Sequence, residues 1–256
     1  MMFLIVGRTA SGKDRLANEM CALGMTQVKS RTTRPRRTPD EDTHVFVDEA
    51  TAEAEAPHAV AATNIAGVTY YATDDDIRDA DIYVVDPKGV RDLCRNMPNE
   101  VFHVIYVMAD DKLRRSHAIA RADDPEAAAA IFDERDPKEA PDFEEFRLMC
   151  TDQPEALPEP VVSVMVIDND YEPATLTNIA NRLNNWKHQF EGVRDMVCDL
   201  SRYNLFDIDE DNLFRADRGD ERLRYSLDQV CATYLADDEQ LAALTRSWLA
   251  RKADHS

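Results

Sequence analysis

The run Gly7-Arg8-Thr9-Ala10-Ser11-Gly12-Lys13 constrains this chain more than any other feature. It satisfies G-x-x-x-x-G-K, follows directly on the apolar segment Met2–Val6, and leads into a helical pattern. A strand that ends in such a loop and turns into a helix is the opening unit of a P-loop α/β fold. Glycine lets the backbone curl so that successive N–H groups converge on phosphate oxygens. The helix adds the positive end of its dipole, and Lys13 adds a mobile point charge. Gly7, Arg8, Thr9, Ala10, Ser11, Gly12, Lys13 and Asp14 are therefore the candidate triphosphate-binding residues. Asp14 stands where the motif usually places a Ser or Thr on Mg²⁺. A carboxylate ligates that ion directly or through water, which makes Asp14 the candidate metal ligand.

From residue 2 to about 184, short apolar runs alternate with helical stretches. This predicts a three-layer P-loop NTPase fold with a mostly parallel sheet. Strands are expected at Met2–Val6 and at residues 82–86, 101–108 and 161–167. Each is a near-continuous Val- and Ile-rich run, the pattern of a strand buried on both faces. Helices are expected at 14–23, 90–94 and 112–121, and the Asp- and Ala-rich segment 122–147 reads as a helical flap. Further on, Leu176, Ile179, Leu183, Trp186, Phe190, Val193, Val197 and Leu200 recur every three or four residues, one stripe along a long helix. That stripe has two readings, packing on its own domain or self-association into a homodimer through C-terminal helices. Residues 226–235 and 239–252 are amphipathic as well. The expected organisation is a P-loop domain over residues 1–184 and a helical C-terminal extension over 185–256.

Fifty acidic residues against 30 basic ones leave a net charge of −20, which disfavours nucleic acid or an anionic membrane as partner. No stretch approaches the roughly 20 apolar residues of a membrane span, and the apolar opening is too short for a secretory signal. Cys21, Cys94, Cys150, Cys198 and Cys231 are scattered without a C-x-x-C pair, as expected of free thiols in a cytoplasmic protein without a zinc site. An acidic chain that binds phosphate must concentrate its basic residues locally. The densest cluster is Ser30-Arg31-Thr32-Thr33-Arg34-Pro35-Arg36-Arg37. Guanidinium forks among hydroxyls suit a phosphate monoester; taken alone, the cluster reads equally as a solvated basic loop.

With that cluster in view the chain resembles the guanylate kinases, and among them the divergent, phage-associated guanylate kinase-like proteins. Their substrate-phosphate segment, S-x-T-T-R-x-x-R, is matched by Ser30, Thr32, Thr33, Arg34 and Arg37. Asp40-Glu41-Asp42-Thr43-His44-Val45-Phe46-Val47 follows, with His44 where the family has a phosphate-binding Tyr. Gly67-Val68-Thr69-Tyr70-Tyr71-Ala72-Thr73 echoes the family's G-N-Y-Y-G-T/S, and Val84-Val85-Asp86-Pro87-Lys88-Gly89 echoes D-x-D-x-x-G. The resemblance spans roughly residues 2–184. It implies Mg²⁺-dependent phosphoryl transfer from ATP to a nucleoside monophosphate. By the same resemblance Arg34, Arg37, His44 and Tyr71 hold the acceptor phosphate, and Ser30, Thr73 and Asp86 meet the base. Ala61 stands where the family reads guanine with a Glu, and Val84 replaces the first Asp, so the base is left unspecified.

The family closes lid arginines over ATP. Candidates are Arg114, Arg115, Arg121 and Arg135, of which Arg121 and Arg135 join Lys13 as the expected catalytic residues. Two alternatives remain, a sugar-phosphate kinase of the ribose 1,5-bisphosphate type, whose loops also read G-K-D, and a non-catalytic guanylate kinase-like nucleotide-binding module. The acidic run Asp207-Ile208-Asp209-Glu210-Asp211 lacks the Gly and Glu of a calcium loop and reads as a helix-capping turn.

Overall fold

Gly7 to Gly12 does join a strand to a helix, and the rest of the chain is arranged around that unit. The computed structural model describes residues 1–36, 38–65, 67–98, 100–153, 156–158, 160–201, 213–218 and 221–226. Its elements run β1 (Met2–Val6), α1 (Lys13–Ala22), β2 (Arg31–Thr32), β3 (Val45–Phe46), α2 (Glu49–Glu55), β4 (Ala59–Ile65), β5 (Val68–Thr73) and α3 (Asp74–Ile77). They continue with β6 (Ile82–Val84), α4 (Pro87–Asn96), β7 (Phe102–Met108), α5 (Asp111–Ala120), α6 (Pro125–Thr151), β8 (Val161–Asp168) and α7 (Pro173–Ser201). A pair of strands, β9 (Leu213–Arg218) and β10 (Glu221–Ser226), follows.

The four apolar runs form one all-parallel sheet in the order β6-β1-β7-β8, flanked by helices. β1 is buried at every position, as a central strand covered on both faces must be. Ile5 lies beside Val84 on one side and Ile105 on the other. The connection from β1 runs to β6 on one side and that from β7 to β8 on the other, so the topological switch point lies between the carboxyl ends of β1 and β7. Crevices of this kind at strand carboxyl ends are where α/β sheets bind ligands.

Helix starts follow local chemistry. Asp86, Asp110 and Asp124 each accept a backbone N–H at the start of α4, α5 and α6, and Pro87 and Pro125 take the first helical position, where no N–H is needed. From Pro125 on, the segment expected as a flap lies within α6, a 27-residue helix that buries Phe132, Phe143, Phe146 and Cys150.

A second sheet, β3-β2-β5-β4, is antiparallel except for the β2–β3 pair. None of its strands stands out in the sequence. β2 and β3 are two residues long, and three of the seven residues of β4 are Ala, a weak strand former. Hydrogen bonds tie this sheet to α4 and β6, among them that of Lys88 to the Ala62 carbonyl (2.6 Å). Asn96 donates to the Val60 carbonyl (2.9 Å), and the Ser30 hydroxyl donates to that of Tyr83 (3.3 Å) at β6.

The chain divides into two compact units, Met2–Ala180 and a second of Asn181–Ser256 with Met1. Leu176, Ala180, Leu183, Trp186 and Phe190 of α7 are buried. Within the extension expected to be helical, β9 and β10 pair antiparallel from Leu213↔Ser226 to Arg218↔Glu221. Their sequences alternate apolar and polar on either side of Gly219-Asp220, a hairpin signal. Ser226 ends a strand rather than opening a helix. The rest of 226–235, all of 239–252 and the acidic run 207–211 lie outside the described residues. Among the described residues no helix is long and apolar enough to cross a membrane.

Candidate functional site

Three donors from outside hold the loop between β1 and α1. Arg114 donates to the Thr9 carbonyl (2.9 Å), the Tyr171 hydroxyl to the Ala10 carbonyl (2.5 Å), and the Asn169 amide to the Ser11 carbonyl (2.8 Å). Within the loop, Ser11 N–H closes a turn on the Arg8 carbonyl (3.0 Å), and Leu16 N–H bonds Gly12 to start the helical ladder (3.0 Å). Gly12 caps α1 at φ 99°, a left-handed conformation that favours glycine. Its missing Cβ also makes room, because a methyl there would lie 2.3 Å from Asn169 Nδ2. Gly7 is required by close approach, since a Cβ would come within 2.6 Å of the Val107 carbonyl and 2.5 Å of Ser11 Oγ. Lys13 and Asp14 begin α1, with Nζ and carboxylate 3.7 Å apart; the Lys13 side chain is mostly covered and that of Asp14 is exposed.

An ionic network joins this loop to α5 and α6. Arg114 is only 1% exposed and forks onto Asp136, with contacts of 2.7 and 3.0 Å, while also reaching Asp111 at 2.7 Å. Arg8 pairs with the same two carboxylates, and the Thr9 hydroxyl donates to Glu139 (3.1 Å). Burial works to lower the Arg114 pKa, but hydrogen bonds to Asp136 and Asp111 more than offset it, and the net shift is upward. Those bonds hold the Asp111 carboxyl below its usual range. Beside the network lies a cleft of about 450 Å³, lined by Arg8, Ser11 and Arg114 and, opposite, by Tyr106, Glu144, Arg147 and Asp168.

The basic cluster sits on the second sheet. Arg34 is largely covered and forks onto Glu41 (2.6 and 3.2 Å). The Phe46 ring lies beneath both Arg34 and Arg36, 5.2 and 4.3 Å from their guanidinium carbons. Glu41 first, and Tyr70 more weakly, raise the Arg34 pKa against the opposing effect of burial. His44 packs edge-on against both Phe46 and Tyr70. The structure thus brings Arg34 and His44 together with Tyr70. Adjacent side chains on a strand face opposite ways, and Tyr71 instead donates to Glu55 (2.7 Å) beside Arg31. Burial, reinforced by that carboxylate, pushes the Tyr71 hydroxyl pKa up. Arg31 forks onto Asp76 (2.8 and 3.0 Å), and Thr73 and Asp76 form a capping box at α3. Ser30 bonds Tyr83, whose hydroxyl is pushed up to about 12 by burial. Asp86 accepts the Gly89 N–H (2.6 Å) as the cap of α4. Arg37 lies outside the described residues.

Of the expected lid arginines, Arg121 lies exposed at the end of α5, and Arg135 pairs with Glu139 one turn along α6. Arg115 pairs with Asp133 at 2.8 Å on the exposed face. The arginine that reaches the loop is Arg114. Asn169 and Tyr171 were not foreseen at all. Their signal is the polar run Asp168-Asn169-Asp170-Tyr171 ending β8, level with the loop that ends β1.

No protein-family model and no curated protein sequence matches the chain. Among solved structures, a guanylate kinase from Anaplasma phagocytophilum is similar to it with a TM-score of 0.45 and 15% identity, over 72% of this chain and 82% of that one.

Proposed function

We propose that the protein transfers a phosphoryl group from Mg²⁺·ATP to a nucleoside monophosphate or deoxynucleoside monophosphate. The observation that carries this reading is the pairing of two phosphate grips within one unit. A phosphate loop leaves β1, and Ser30, four residues before Arg34, bonds Tyr83 on β6, the strand paired with β1. One grip suits a polyphosphate donor and the other a monoester acceptor, and transfer between them needs both in one crevice.

Lys13 and the loop amides would hold the ATP phosphates. Asp14 fits a hydrated Mg²⁺, because its carboxylate is exposed in the first turn of α1 and the ion's remaining ligands can be water and phosphate. Bound there, the ion neutralises charge on the triphosphate. Arg34 and Arg37, with His44 and Tyr70, would hold the acceptor phosphate. Tyr71, Thr73, Ser30 and Asp86 would shape the pocket for its base. Arg121 and Arg135 would meet the transferring group from α5 and α6.

The test is a thermal-shift screen of GMP, dGMP, dTMP, AMP and ribose 1,5-bisphosphate, followed by ADP release with Mg²⁺·ATP. A true acceptor at 100 times its Kd adds about 2.7 kcal/mol of stability. Arg34→Ala is expected to abolish that gain while sparing the response to ATP. A response to the bisphosphate alone would point to the sugar-phosphate kinase reading instead. Absence of both stabilisation and ADP release with every acceptor would overturn the assignment.

A further inference from the structure

We propose that Arg114, Asn169 and Tyr171 are positioning residues for the phosphate loop, setting its amide polarity and with it the affinity for a polyphosphate. The inference rests on the reading of this loop as the donor grip. In a planar trans peptide the N–H points away from the preceding C=O. The carbonyls of Thr9, Ala10 and Ser11 are drawn outward by three separate side chains. The N–H groups of Ala10, Ser11 and Gly12 are thereby turned to the opposite side. Ser11 N–H is spent on the Arg8 carbonyl. Those of Ala10 and Gly12 remain, in line with the first-turn amides of α1, which no helical carbonyl can satisfy.

The contacts are built into the fold at some cost. Asn169 is 1% exposed, and its amide uses both ends, donating to Ser11 and accepting from Tyr171 N–H (3.0 Å). That bond accompanies a φ of 63° at Tyr171, a left-handed conformation that aromatic residues rarely adopt. The Tyr171 ring is stacked on His117, 3.9 Å away and within 8° of parallel. His117 and Arg114 are three residues apart and share one face of α5. Ala10 is itself held at φ 60°, so the loop's shape is imposed from outside rather than chosen by its own residues. A loop held in this way does not have to be ordered by its ligand, and that saving appears as affinity.

Tyr171→Phe removes one hydroxyl and keeps the ring. By isothermal titration it is expected to raise the Kd for Mg²⁺·ATP and for Mg²⁺·tripolyphosphate by about 5-fold each, the worth of one hydrogen bond. Asn169→Asp keeps the volume but sets a carboxylate against the Ser11 carbonyl, and a rise of more than about 10-fold is expected. Should that variant fold poorly, Tyr171→Phe carries the test alone. A merely structural contact would lower Tm and leave both Kd values unchanged where the variant is folded, and that result overturns the proposal. Lys13→Ala serves as the control. Tripolyphosphate binding that ignores Lys13 would sink the reading of the loop and the proposal with it. Binding that needs Lys13 but ignores Tyr171 would sink the positioning role alone.

Discussion

Lys13→Ala is expected to lower kcat/KM for phosphoryl transfer by about 10²–10³-fold, the usual cost of removing one group aimed at developing charge. Stability should change by no more than about 0.5 kcal/mol, because among the described residues Lys13 makes one ion pair, a 3.7 Å contact with exposed Asp14. The two measurements together carry the argument. A coupled assay of ADP release reads the first, and thermal unfolding of the same samples reads the second. Lys13→Arg should rescue little, since a planar fork on a longer arm does not replace a compact ammonium at the start of a helix. Unchanged ADP release in Lys13→Ala, with the protein folded, would mean that the loop is not the donor grip.

That prediction could be made from the sequence, because everything it needs is local. A glycine-flanked loop between an apolar run and a helix is read from neighbouring residues, and so are the strands 101–108 and 161–167, which are apolar almost throughout, with His103 and Ser163 as their polar interruptions. The second sheet escaped because its signals are not local. Arg31 and Thr32 make a strand only by pairing with Val45 and Phe46 on one side and Tyr70 and Tyr71 on the other. Two residues have no period to detect.

The site was legible to the same extent. Gly12 and Lys13 are marked by the motif, whereas Arg114 is one of four candidate lid arginines and not one of the two that the sequence favours. Its burial depends on Asp136, 22 positions away on α6, and on the Thr9 carbonyl, 105 positions away. No spacing rule on α5 separates Arg114 from Arg115, yet one is 1% exposed and the other pairs with Asp133 on the exposed face. Tyr70 and Tyr71 pose the same problem in a strand. Both are tyrosines, and which of them faces Arg34 is set by the register of β5 against β2, which only the paired strand defines.

Asp136→Ala should destabilise the protein by about 3 kcal/mol or more, among the largest effects of any single substitution. The reason is the company that the carboxylate keeps. It is buried, it takes both arms of Arg114, and it also pairs with Arg8. Removing it strands a guanidinium that is 1% exposed and keeps, among the described residues, Asp111, the Thr9 carbonyl and the Phe132 ring. The cost therefore comes from the unpaired charge left behind, not from the strength of the pair, since burial already works against the charged form of Arg114. Replacing both partners, as in Arg114→Met with Asp136→Leu, should thus be less damaging than Asp136→Ala alone, although Arg8 loses a partner in either case. Urea unfolding of the two variants checks the order, and the reverse order would show that the pair itself supplies net stability. Phosphate binding should follow a different rule. The double variant removes the donor to Thr9 and is expected to bind Mg²⁺·tripolyphosphate more weakly than wild type even where its stability recovers. Stability and loop geometry are then separable at one residue pair, because Asp136 neutralises Arg114 while Arg114 orients the loop.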